Sequence, residues 1–408
     1  MPGGMVATGD RTLDRRVRSL DGLRCLAASI VVVQHLLLAS VAGLAALYLG
    51  GANASGAKVS WAGPEAIIVF FVLSGLVLSL GAAAGKRFVA SFYYPCRLAR
   101  LYVPVWGALI VAAVAHEVIV HRFVPGATWW LNGHAGPLTL HRAAFDSTLV
   151  YEAGDGQFSS VLWTLRWEVI FSVLLPAFLF VGSRVRWDLL TVATIAVIAF
   201  GGGKYELARY LAPFMLGVAL AYGRGQITEW MTPRRARLLL VGSIASLTAD
   251  WWLRTGFVSH IGLGLVAAGA TGLVTVAMCP GSFANFLNSR PLRLVGQRSF
   301  TLYLVHEPIV VAAAFALGGR PSVIVLAAVS LPVIAIVTEV FYRYVERPTH
   351  RLARSLGTWS QDAVTRFQHT AESVLAAGEH PTASSPAMAL STLARPRASA
   401  AGSLPPTP

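Results

Sequence analysis

The chain has 408 residues, of which 55% are apolar and only 13% are charged, and its formal net charge is +14. A soluble protein carries about 25% charged residues, so this composition excludes an ordinary soluble enzyme and favours a membrane protein with several spans. The basic residues form short clusters between apolar segments rather than one continuous stripe, which argues against a nucleic-acid partner.

Apolar segments long enough to cross a bilayer, which takes about 20 residues, occur ten times along the chain. They lie near 22–42, 64–81, 101–120, 160–181, 188–201, 205–222, 238–253, 258–279, 299–318 and 321–342. The fifth and sixth segments are the weakest, because only Gly201, Gly202, Gly203 and Lys204 separate them, as in a tight outer turn. The sequence therefore predicts an all-α fold with about ten transmembrane helices.

Lysine and arginine are distributed unevenly between alternate connections of these ten segments. One side holds 21 of them and the other side holds six, and short cytoplasmic loops carry the excess. This bias predicts a multi-pass protein of the plasma (inner) membrane with both termini in the cytoplasm. The predicted parts are a basic N-terminal segment over 1–20, a ten-span domain over 21–350 and a cytoplasmic tail over 351–408.

Two regions outside the predicted spans have their own composition. The tail is rich in Ala, Ser, Thr and Pro and is predicted to be largely disordered, although apolar residues at helical spacing favour a short helix near 361–377. The loop 121–159 holds three histidines without the spacing of a metal site, so no metal is predicted. Its Trp129 and Trp130 are typical of an interfacial anchor, and the loop could also shape an acceptor site.

Ionisable side chains inside apolar spans are functional candidates, because each costs about 2.5–3.5 kcal/mol to insert. Arg24 and His35 lie 11 residues apart, which places both on one face of a helix, with His35 roughly 20 Å from the cytoplasmic end. A snorkelling arginine and a structural histidine are the alternative interpretations. The other candidates are Glu168 with Arg166 and His306 with Glu307.

A series of short motifs in this chain resembles the membrane acyltransferase family 3. In chain order they are Arg18-Ser19-Leu20-Asp21-Gly22-Leu23-Arg24 with His35, Phe70-Phe71-Val72-Leu73-Ser74-Gly75, Arg97-Leu98-Ala99-Arg100 with Pro104, Trp163-Thr164-Leu165 with Glu168, Tyr303-Leu304-Val305-His306 and Glu346-Arg347-Pro348. The resemblance covers about residues 18–350 in the expected order. Each motif is weak alone, and their order across ten spans is the specific signal.

The resemblance implies transfer of an acyl group, most often acetyl, from cytoplasmic acyl-CoA to a hydroxyl of a carbohydrate, glycolipid or secondary metabolite. An alcohol needs a base near pH 7, and histidine has the matching pKa, so His35 is the predicted general base or transient acyl carrier. Arg24, Arg97 and Arg100 are predicted to bind the phosphates of coenzyme A, since guanidinium groups suit phosphate oxygens. Ordinary cytoplasmic charge is the alternative for each arginine.

The remaining candidates have more than one interpretation. Glu168 is predicted to orient His35 or bind an acceptor hydroxyl, and an internal ion pair with Arg166 or Arg209 is the alternative. Trp163 is a predicted supporting residue of the site. Two further supporting candidates are Ser74, for which close helix packing is favoured over a nucleophilic role, and His306, for which helix-to-helix bonding is as plausible as catalysis.

Two other classes of function fit part of this pattern. A transporter or flippase of a polar lipid or glycan also places Arg, His and Glu inside spans, although residues 22–181 and 188–342 share no repeated motif. A membrane scaffold without activity leaves His35 and Glu168 unexplained. The sequence therefore favours an integral membrane O-acyltransferase with a lipid environment and a carbohydrate or small-molecule acceptor.

Overall fold

The structure is a computed structural model that describes residues 7–40, 62–149, 159–249 and 258–378. Every regular element within these ranges is a helix. In chain order the α-helices are α1 Ala7–Leu38, α2 Gly63–Ala83, α3 Ala90–Val118, α4 Trp129–Asn132, α5 Leu140–Thr148, α6 Leu162–Arg184, α7 Trp187–Gly201, α8 Ala212–Trp230, α9 Pro233–Leu247, α10 Val258–Met278, α11 Ser282–Leu287, α12 Arg290–Gly296, α13 Ser299–Ala316, α14 Val323–Phe341 and α15 Arg347–Gly378. Two π-helical turns, Leu207–Leu211 and Tyr342–Glu346, precede α8 and α15.

Seven helices within the described ranges are long and apolar enough to cross a membrane. They are Arg18–Leu38, Gly63–Ala83, Ala90–Val118, Leu162–Arg184, Ile261–Met278, Ser299–Ala316 and the continuous helix Val323–Ser373. Each contains at least 18 residues, which is close to the length that spans the hydrocarbon core. The all-helical, multi-pass character predicted from composition is thus confirmed.

The other three predicted segments also lie on helices, but those helices are shorter or less apolar. The segment near 188–201 corresponds to α7, which is apolar but has only 15 residues. The segment near 205–222 covers the π-helical turn and the first half of α8, and the segment near 238–253 falls on α9 and ends outside the described residues. A turn joins α7 to the next helix at the predicted glycines.

Close contact between α2 and α8 depends on glycine. A Cβ atom added to Gly75 would lie 2.0 Å from the carbonyl oxygen of Phe214, and one added to Gly217 would lie 2.1 Å from that of Val72. Because both distances are far below van der Waals contact, the two backbones can approach only where neither residue has a side chain. This packing fixes the face of α2 that carries Phe70 and Ser74.

The chain divides into two units, Met1–Thr358 and Trp359–Pro408. In the second unit, residues 359–378 are helical and belong to α15, so the short helix favoured near 361–377 lies within a longer helix that begins at Arg347. Residues 351–360, predicted to be part of a largely disordered tail, are helical as well. Trp359 and Phe367 are exposed on it. The rest of the predicted tail, residues 379–408, lies outside the described residues.

Candidate functional site

A cavity of about 430 Å³ lies between α1, α2, α3, α6 and α13. Its polar lining comes mainly from residues that the sequence singled out by motif: Arg24, Ser74, Arg97, Arg100, Glu168 and Glu346. Apolar side chains of α2, α6 and α13 form most of the remaining wall. A concave, mostly apolar cavity with a few converging polar groups is typical of a small-molecule site.

Glu168 of α6 forms the centre of the polar part of this cavity. Its Oε1 pairs with the guanidinium of Arg97 and accepts a 2.5 Å hydrogen bond from Ser74 Oγ. Arg97 also donates from Nε to Ser172 Oγ over 3.0 Å. The partner of Glu168 is therefore Arg97 rather than Arg166 or Arg209, and Glu168 makes no hydrogen bond to His35, whose orientation it was predicted to control.

The three predicted donor-binding arginines differ in their own partners. Arg24 is paired with Asp21 over 3.1 Å, and Arg97 is paired with Glu168. Arg100 lines the cavity and forms no ion pair among the residues that the structure describes. An anion that enters the cavity would therefore meet one guanidinium that no carboxylate already occupies.

His35 of α1 and His306 of α13 form a buried pair. His306 Nδ1 lies 2.9 Å from the carbonyl oxygen of Leu302, His35 Nδ1 lies 2.9 Å from that of Val31, and His306 Nε2 lies 3.1 Å from His35 Nδ1. A carbonyl only accepts, so in the neutral rings both Nδ1 atoms carry the proton and His306 Nε2 accepts from His35. This assignment leaves His35 Nε2 unprotonated, as a general base requires.

Trp130 takes a different place from the one predicted. It is 7% exposed, and its ring centroid lies 5.4 Å from that of His35 and 4.6 Å from that of His134. The expectation of an interfacial anchor is wrong for Trp130, since the loop folds inward and buries it against the histidines. Trp129, in contrast, is 64% exposed.

Glu307 is a central residue for which sequence reasoning found no role. Its fully buried carboxylate accepts from the backbone N–H groups of Ser160 and Val161 at 2.9 Å each and from the hydroxyls of Ser159 and Ser160. It also accepts from His134 Nε2 at 3.1 Å. The carboxylate thus connects His134 and residues 159–161 of the loop to α13, directly beside His306. The sequence signal that could have pointed to Glu307 was an ionisable residue next to His306 inside an apolar span.

His134 contacts hydrogen-bond acceptors at both ring nitrogens. Its Nδ1 lies 2.9 Å from the carbonyl oxygen of Trp130, and its Nε2 lies 3.1 Å from Oε1 of the Glu307 carboxylate, which is already an acceptor for four other donors. His134 and Glu307 therefore form a buried hydrogen-bonded pair that connects the loop to α13.

His121 lies near this pair on the loop after α3. Its ring centroid is 4.4 Å from that of His116, and neither of its nitrogens has a hydrogen-bond partner among the described residues. Burial, followed by the nearby His116 and His134, lowers the pKa of His121 to about 4. The ring is therefore neutral at pH 7 and serves as an apolar group stacked on Phe315.

Trp163 does not line the cavity. It is 42% exposed, and its ring stacks edge-on against Tyr210 at 4.9 Å. The next two residues of the same motif, Thr164 and Leu165, do line the cavity. Trp163 therefore lies on the outer face of α6, and any supporting role of Trp163 acts outside the cavity.

Comparison with known proteins agrees with this arrangement of motifs. Residues 17–341 match the profile of the acyltransferase 3 family, which is described as an acyltransferase domain. The chain is 25% identical over 385 residues to the peptidoglycan O-acetyltransferase OatA of Listeria monocytogenes, a match that covers 82% of this chain and 56% of that protein. It is 31% identical over 104 residues to the O-acetyltransferase OatA of Staphylococcus aureus, which covers 25% of this chain and 16% of that protein.

The chain spans about half the length of the Listeria relative. No solved structure matches it significantly. The family match covers most of the chain, including the histidine pair and the residues of α1, α2, α3, α6 and α13 that line the cavity. The chain therefore belongs to the acyltransferase 3 family.

Proposed function

We propose that this protein is an integral membrane O-acyltransferase that moves an acetyl group from acetyl-CoA to a carbohydrate hydroxyl. The observation that carries the proposal is the common cavity of Arg24, Arg97 and Arg100, next to the buried pair of His35 and His306. The arginines supply an anion-binding end, and the histidines supply a base with a free Nε2.

The distance between the arginines and the histidine pair fits the length of the coenzyme A arm. Arg24 and His35 are 11 residues apart on the continuous helix α1, a rise of about 16.5 Å. The extended arm that joins the coenzyme A phosphates to its sulfur has about as many bonds as four residues of backbone, so its length is roughly 14 Å. Phosphates held at the arginines would therefore place the thioester near the histidine pair.

The proposed chemistry moves one proton in two steps, from the acceptor hydroxyl to His35 and from His35 to the leaving sulfur. His35 Nε2 takes the proton of the acceptor hydroxyl as the oxygen attacks the thioester carbonyl, the carbon–sulfur bond breaks, and the proton finally resides on the thiol of coenzyme A. Transient acylation of His35 followed by transfer to the hydroxyl gives the same products. Arg97 pairs with Glu168 and Ser74 donates a hydrogen bond to it, so Glu168 holds the cavity wall in place and does not orient His35.

The acceptor proposed here is a polysaccharide or another carbohydrate at the outer surface. The name of the Listeria relative refers to peptidoglycan, and similarity over most of this chain supports an acceptor of the same chemical class. The loop that carries Trp130 and His134 reaches the histidine pair, so it can form part of the acceptor site.

The proposed topology has ten spans, both termini in the cytoplasm and a location in the plasma membrane. The seven long helices account for most of this count, and α7, α8 and α9 supply the other three spans. Reporter fusions near residue 360 and near residue 140 are expected to report opposite sides of the membrane, because basic loops stay in the cytoplasm. The same side for both fusions would contradict the ten-span topology.

Replacing Arg100 with alanine is expected to raise the KM for acetyl-CoA. A hydrogen bond between charged groups contributes about 1.5–3 kcal/mol, which corresponds to a rise of about tenfold or more. The measurement is the rate of coenzyme A release against donor concentration. Arg234→Ala, which removes an exposed arginine outside the cavity, is the matched control. An unchanged KM in both Arg100→Ala and Arg24→Ala would indicate that these arginines only set the orientation of the protein in the membrane and do not bind the donor.

The activity itself is tested with the purified full chain in proteoliposomes, supplied with acetyl-CoA and peptidoglycan fragments. The expected result is release of free coenzyme A together with acetylated fragments detected by mass spectrometry. A transporter or scaffold would release no coenzyme A, so that result would overturn the proposal.

A further inference from the structure

A small apolar cluster separates the cavity from the histidine pair. Its members are Ala27, Val31, Ala66, Val161 and Tyr303, with Phe70 packed against them. Phe70 and Tyr303 also line the cavity. On the other side of the cluster, the Val31 carbonyl oxygen lies 2.9 Å from His35 Nδ1, and the ring centroids of Tyr303 and His306 are 6.0 Å apart. The cluster therefore lies between the two parts of the site.

The helix α2 shows the order of groups along the cavity. Leu78, Ser74 and Phe70 all line it, and they follow one another at one-turn intervals of about 6 Å. Ser74 marks the level of the ion pair between Arg97 and Glu168. A group that moves from this level towards His35 must therefore pass the level of Phe70.

The two aromatic rings at this level are held in different ways. Tyr303 Oη lies 2.8 Å from Thr164 Oγ1 and 3.3 Å from the carbonyl oxygen of Val161, so hydrogen bonds hold the hydroxyl end of its ring. Phe70 has no polar anchor, is only partly buried and meets Tyr303 edge-on with 6.1 Å between ring centroids. One wall of the passage is thus rigid, and the other is a single ring that can rotate.

We propose that Phe70 and Tyr303 act as an acyl-length filter, which admits a short acyl chain to the histidine pair and excludes longer ones. The inference rests on the proposed function and adds the residues that select the donor. The aromatic pair leaves room for a small group after rotation of one ring, while each added methylene must displace packed side chains. Phe70 and Tyr303 are therefore specificity-determining residues in addition to any role in chemistry.

The test compares acetyl-CoA, butyryl-CoA and hexanoyl-CoA as donors for the full chain in proteoliposomes with peptidoglycan fragments. One methylene in a fitted pocket changes kcat/KM by about 10–200-fold, so Phe70→Ala should raise the hexanoyl-to-acetyl ratio of kcat/KM at least about tenfold. Phe70→Leu, a smaller change, should raise the butyryl-to-acetyl ratio and covers the case in which the alanine variant does not fold. Leu78→Ala enlarges the same cavity at its other end and should leave both ratios unchanged.

The outcomes separate the filter from the proposed function. Increased use of long donors by a Phe70 variant, but not by Leu78→Ala, supports the filter. Release of coenzyme A from acetyl-CoA with wild-type ratios in the folded Phe70 variants overturns the filter alone. If the wild-type protein releases coenzyme A from none of the three donors, the proposed function and the filter both fail.

Discussion

Replacing His35 with glutamine is expected to lower the rate of acyl transfer by about 10²–10⁴, the usual contribution of a general base, and by more if His35 carries the acyl group. Glutamine keeps a polar side chain of similar length but has no nitrogen that accepts a proton at neutral pH. The effect should fall on kcat, because the arginines that bind the donor are unchanged. Initial rates of coenzyme A release and of fragment acetylation at equal protein concentration measure it.

The controls for this experiment come from the other histidines. His141→Gln alters an exposed histidine of the loop and should leave the rate unchanged. His306→Gln removes the acceptor for His35 Nδ1–H and should lower the rate less than His35→Gln, because the Val31 carbonyl still holds that proton. A folded His35→Gln protein with near wild-type rate would contradict the assignment and direct attention to His306.

Replacing Glu307 with glutamine is expected to destabilise the protein by at least about 1–3 kcal/mol, the usual cost of leaving a buried donor without an acceptor. The substitution replaces one carboxylate oxygen by an amide N–H₂, which then faces groups that donate to the carboxylate, His134 Nε2 among them. Thermal unfolding of the purified protein in detergent, followed by loss of the monodisperse species, measures the change.

Two further variants identify the cause of the loss of stability in Glu307→Gln. Glu117→Gln changes an exposed glutamate at the end of α3 and should shift stability by no more than about 0.5 kcal/mol. Glu307→Gln combined with His134→Gln should cost less than the sum of the two single changes, because their mutual hydrogen bond is then lost only once. Additive effects in the double variant would contradict a direct interaction between Glu307 and His134.

The sequence alone was enough to predict the helical, membrane-spanning class of the protein and most of the residues that meet in its site. Hydropathy over about 20 residues is a local property, so the segments could be located without knowledge of their neighbours. The cost of burying charge also marked Arg24, His35, Glu168 and His306 before any contact was known. Seven of the ten predicted segments coincide with helices that are long and apolar enough to cross a membrane.

Tertiary structure alone decided which of these residues meet. Glu168 pairs with Arg97 across 71 positions of the chain, and His35 meets His306 across 271. Apolar helices offer many equivalent faces to one another, so hydropathy and spacing do not specify their partners; close packing, as at Gly75, does. The roles of Glu307 and Trp130 depend on a loop folding back onto α13, and such a contact has no periodic signature in the sequence.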